Sequence, residues 1–110
     1  MTKKKTNEST DSAIVVLVGS AQFKKLDTAT KGQLTRFTAG WDDDPNEILV
    51  AYPYDVDVKS IIVAQTNAET EQQWREFGSK TYKLAGKVDA VHYHIKNHFV
   101  DDIYEGAMLA

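Results

Sequence analysis

The chain has no cysteine. That excludes a disulfide scaffold, thiol catalysis, and zinc or iron–sulfur sites built on thiolates. It has only two prolines, Pro45 and Pro53, so no proline-rich linker divides it. No apolar stretch approaches the roughly 20 residues that span a bilayer, and the reading is a cytoplasmic protein with no membrane partner. Basic charge is also scarce: the 110 residues carry a net charge of −3. The first eleven residues hold Lys3, Lys4 and Lys5 against Glu8 and Asp11, a local +1, which leaves −4 for the rest. Binding phosphate through counterion release needs a basic surface, so nucleic acid is disfavoured as a partner of the body.

What is present is enough for one domain and too little for two. Residues 1–11 have no apolar side chain but Met1 and read as a disordered tail. Residues 12–110 read as a single α/β (or α+β) domain of three to four strands and two to three packed helices. The strongest element is Ala13-Ile14-Val15-Val16-Leu17-Val18, ending at Gly19-Ser20. Six apolar residues without alternation make a strand buried on both faces, the mark of a helix-covered sheet.

After it, Asp27 or Thr28 is positioned to cap a helix running to about Ala39, with Leu26, Thr30, Leu34, Phe37 and Trp41 on one face. A β-hairpin pivoting on Lys31-Gly32 competes with that helix, because four threonines and Gly32 are poor helix formers. Glu47–Tyr52 reads as a strand that Pro53 ends or marks as an edge. Ser60–Ala64 favours a strand through its β-branched content. Thr66-Asn67-Ala68-Glu69 resembles a capping box opening a helix to Ala85, with Gly86 behind it. Gly78 weakens the middle of that helix by about 1 kcal/mol relative to alanine. Val91–Lys96 alternates apolar and polar, which predicts a strand with one wet face, and His98–Leu109 predicts a final helix. The order is β-α-β-β-α-β-α, which places helices and strands in layers.

The candidate chemistry is thin. His92 and His94 share a face if their segment is a strand, and two imidazoles at that spacing can hold part of a metal site. A third zinc ligand has no fixed spacing, so no metal or other cofactor is assigned. Gly19, Ser20 and Gln22 lie where α/β sheets place ligands, at the carboxyl end of a strand. They suit a nucleotide or nucleoside, although no Gly-x-Gly-x-x-Gly or Gly-Lys-Ser pattern accompanies them. No serine has an identifiable base, so no catalytic residue is assigned.

The remaining signal is a surface one. Trp41 abuts the acidic run Asp42-Asp43-Asp44, and Tyr52-Pro53-Tyr54 ends a strand. Tryptophan and tyrosine at such positions are enriched in interface hot spots, and a run of acids steers a basic partner. The leading expectation is a small acidic non-catalytic module that binds a protein through Trp41, Asp42, Asp43, Asp44, Tyr52 and Tyr54. It would serve as an inhibitor, adaptor or assembly subunit of the kind phages and mobile elements encode. The apolar end Ala107-Met108-Leu109-Ala110 suits a homo-oligomer seam or docking on its own core.

Overall fold

The computed structural model describes residues 11–41, 47–53 and 56–109. The expected disordered tail falls outside them, Asp11 apart. Four strands form one mixed sheet in the order β2-β3-β1-β4, with β1 (Ser12–Leu17), β2 (Ile48–Ala51), β3 (Ser60–Ala64) and β4 (Ala90–Tyr93). β1 runs parallel to both β3 and β4, while β2 is antiparallel to β3. The described residues also form four helices: α1 (Ala21–Ala29) and α2 (Gln33–Thr38) between β1 and β2, α3 (Glu71–Ala85) between β3 and β4, and α4 (Val100–Met108) after β4.

Side-chain alternation along the strands sorts the core into two layers. Ala13 and Val15 of β1 and Ile62 and Ala64 of β3 pack with Trp74, Phe77, Ile103 and Ala107 of α3 and α4. Their neighbours Ile14, Val16, Ile61 and Val63 pack on the opposite face with Phe23 of α1 and Leu34 of α2. The unbroken apolar run is explained by this: Ala13 to Val16 are all buried because both faces of β1 are roofed.

Four local expectations are corrected. The single helix or hairpin over residues 27–39 is instead two short helices, which raises the helix count to four. Lys31 and Gly32 do form the pivot, at φ 61° and 80°, but it turns one helix into the next. The cap of α1 is Ser20, whose Oγ accepts from the Phe23 N–H at 3.1 Å. The long helix starts four residues later than Thr66. Thr70 is its N-cap, and Gln73 returns its side chain to the Thr70 N–H. β4 also stops at Tyr93, short of Lys96.

Asp27 contributes from the end of α1. Its carboxylate accepts from the Thr35 N–H at 2.8 Å and from the Thr35 hydroxyl, tying α2 to α1. The Thr35 hydroxyl bond chiefly holds the Asp27 carboxyl below its ordinary pKa. A lowered carboxyl pKa stabilises the fold above the unfolded value, near 4, and that contribution is lost as pH falls through the folded one. Asp27→Asn is therefore expected to lower the urea midpoint at pH 7, with the gap to wild type closing towards pH 2. A gap that stays constant across that range would contradict this role for the carboxylate.

Candidate functional site

β2 is one edge of the sheet, and its backbone decides what that edge offers. The Gln65 N–H donates to the Glu47 carbonyl at 2.9 Å, just beyond the ladder that pairs Leu49 with Val63 and Ala51 with Ile61. In an antiparallel ladder, directly bonded pairs alternate with non-bonded ones. Glu47, Leu49 and Ala51 therefore turn their N–H and C=O groups towards β3. Ile48 and Val50 turn theirs outward, where no described residue pairs with them. Pro53, two residues past Ala51, has the same inward parity, and without an N–H to turn towards β3 it cannot continue the ladder, which ends at Ala51.

The aromatic candidates flank this strand. Trp41 is half-buried, packs on the α1/α2-side core, and donates its backbone N–H to the Thr38 carbonyl. Tyr52 is 69% exposed, a large amphipathic ring left in solvent. Asp42, Asp43, Asp44 and Tyr54 lie outside the described residues. Around β2 the sequence is one-sided: from Arg36 to Lys59 there is no basic residue, and Asp42, Asp43, Asp44, Glu47, Asp55 and Asp57 lie between. Six of the chain's sixteen acidic residues thus fall in the stretch that carries the edge strand.

Gly19 and Ser20 sit at the opposite end of the sheet from Tyr52, because the Val18 N–H donates to the Ala64 carbonyl at one end of β3 while Ala51 pairs with Ile61 near the other. The positive φ of Gly19, 82°, lets the chain turn straight from β1 into α1. Ser20 spends its hydroxyl proton on the Leu17 carbonyl at 2.8 Å while capping α1, so it has none to donate to a ligand. Gln22 is half-buried in the first turn of α1.

His92 pairs in register with Ile14, on the α1/α2 side of the sheet, and both His92 and His94 are exposed. Partial burial, with the neighbouring His92 adding to it, holds His94 below the ordinary imidazole pKa. No group of three or more possible metal ligands occurs among the described residues.

One feature escaped the sequence reading. Between the end of β3 and the start of α3, a cavity of about 260 Å³ is lined by residues 65–68, Ile48 and one flank of α3. The polar run Gln65-Thr66-Asn67 after a buried strand is the signal that marks it.

Compared with known proteins, the chain matches no family model, no curated protein and no solved structure.

Proposed function

We propose that this chain binds another protein without catalysis, presenting the edge of β2 to an extended, basic segment of its partner. The observation that carries the reading is the outward-facing backbone of Ile48 and Val50, set in a stretch of six acids and no base. Strand addition at an open edge supplies main-chain hydrogen bonds. Surrounding acids raise the encounter rate with a basic segment and reject acidic ones. Trp41 and Tyr52 supply the aromatic area that anchors such contacts. The nucleotide-binding alternative has less support, because the Ser20 proton it needs is already used.

Val50→Pro tests the mode directly. The substitution removes an outward N–H and leaves the bonded pairs of β2 with β3 intact, an arrangement in which an edge strand tolerates proline. With a partner captured from the source organism, the variant is expected to bind at least tenfold more weakly while Tm changes little. Binding should also weaken steeply between about 50 and 500 mM salt, as screening shortens the reach of the acids. Unchanged affinity in Val50→Pro would refute strand addition, and salt-independent binding would refute the acidic contribution.

A further inference from the structure

The cavity at the end of β3 lies on the same side of the molecule as the β2 edge. Along a helix, residues three and four apart share a flank. Arg75 and Gly78 lie on the flank of α3 turned to α4: Arg75 pairs with Asp102, and a Cβ on Gly78 would meet the Ile103 carbonyl. Trp74, Phe77 and Thr81 are the buried stripe against the sheet. Gln73, Glu76 and Lys80 form the remaining flank, and this one lines the cavity. α4 covers the β4 side of the sheet, where the Tyr104 hydroxyl accepts from the Tyr93 N–H at 3.2 Å. The cavity therefore sits on the other side, over Ile48 and next to the open edge of β2.

Ile48 belongs to both features. Its backbone N–H and C=O turn outward from the sheet, while its side chain packs with the α3/α4 layer and lines the cavity. Residues directly opposite each other on paired strands project their side chains to the same face. That holds for a parallel neighbour as well as an antiparallel one. A segment added outside β2 must therefore place the side chain across from Ile48 on the α3 face, beside the cavity. Its two chain neighbours point to the opposite face, the one on which Leu49 packs.

The lining sets what fits. A volume of about 260 Å³ is about nine times the roughly 30 Å³ share of one water in the liquid, room for one large side chain. Ile48, Ala68 and Phe77 supply apolar contact. Glu76 and Lys80, of opposite sign, leave the lining without a net charge to select a basic side chain here. A ring with a large apolar body suits these walls, and Phe77 offers it an aromatic neighbour. In strand addition, main-chain bonds supply affinity and pockets for alternate side chains supply specificity.

We infer that this cavity receives an aromatic side chain, carried by the partner residue directly across from Ile48, an inference that rests on strand addition at β2. The test begins with a random library of short displayed peptides selected on the full chain. The selected peptides are expected to be basic, to protect the Ile48 and Val50 amides from exchange, and to share one aromatic position whose ring protons show nuclear Overhauser contacts to Ile48 or Phe77. Replacing that aromatic by threonine, which keeps strand propensity, or by lysine should weaken binding about tenfold or more. Asn67→Trp, at an exposed position of the lining, should fill the cavity. It is expected to weaken the aromatic peptide by a similar factor and leave the threonine-substituted peptide unchanged, which a general disturbance of the fold would not do. Peptides that protect Ile48 and Val50 yet bind equally well with threonine or lysine in place of each aromatic overturn the role of the cavity and leave strand addition standing. So does an Asn67→Trp variant that affects both peptides equally or neither. Peptides that bind without protecting those amides, or a library that yields no binder, overturn both.

Discussion

Replacing Gly78 or Gly106 by alanine is expected to destabilise the protein by about 2–3 kcal/mol or more, although helix propensity alone argues the other way. Both glycines lie inside helices, where alanine is favoured by about 1 kcal/mol. The packing reverses that sign. A Cβ on Gly78 would stand 1.9 Å from the Ile103 carbonyl oxygen, and one on Gly106 would stand 1.9 Å from the Arg75 carbonyl oxygen. The obstacles are backbone atoms, which cannot swing aside as a long side chain can. α3 and α4 cross backbone to backbone at these two points, so either methyl group must push the helices apart. That separation opens the layer in which Ile103, Ala107, Trp74 and Phe77 are buried together. For a domain near 100 residues, each kcal/mol moves Tm by about 4–8 °C, so a fall of roughly 10 °C or more is expected in calorimetry. Gly40→Ala is the control. Its Cβ would meet nothing within 4 Å and its backbone is not left-handed, so Tm should hold. A Tm at or above wild type in Gly78→Ala or Gly106→Ala would contradict the close crossing.

Leu34→Ala is expected to cost about 2–5 kcal/mol, the range for a leucine truncated in a packed core. α2 has six residues, too few for a helix to stand alone in water. It is held by Leu34, which is fully buried against Phe23, Val16 and the rest of the α1/α2-side core, and by the Asp27 bonds to Thr35. Phe37, three residues on, is 45% exposed, so Phe37→Ala should cost well under half as much. Urea titration checks the ratio, and hydrogen exchange should show α2 amides losing protection first in Leu34→Ala. Equal costs at the two positions would show that the wrong side chain has been taken as the anchor.

Leu34 and Phe37 also show where sequence reading stops. A continuous helix over 27–39 puts both on one apolar stripe. The left-handed Lys31-Gly32 pivot resets the helical phase, and only Leu34 then reaches the sheet. Gly32 was visible as a breaker, but whether it breaks a helix into two or turns a hairpin depends on tertiary contacts. The start of α3 posed a similar choice. Thr66 with Glu69 and Thr70 with Gln73 obey the same capping grammar, and local sequence cannot rank them. Packing does: Ala68 is held against the core from a loop, which delays the helix to Thr70.

Other features were legible because one physical cause dominates them. The β1 run required helices on both faces of the sheet, and both are there. Pro53 marked where β2 ends, and the ladder stops at Ala51. The acidic bias around β2 is sequence fact. Which strands stand at the edges was not legible, since strand order is set by pairing between distant segments. Gly78 was misread as a weak point in α3 because its neighbour, the backbone of α4, is far away in sequence. The β3-end cavity was missed for the same reason, since Ile48 and α3 meet only through the sheet.

Hydrogen exchange on β2 with a captured partner reads strand addition amide by amide. In the free protein, the N–H groups of Glu47, Leu49 and Ala51, turned towards β3, should exchange slowly, while those of Ile48 and Val50 exchange faster. On binding, Ile48 and Val50 are expected to gain protection to match their neighbours. Protection that appears elsewhere on the surface, with Ile48 and Val50 unchanged, would contradict strand addition at this edge.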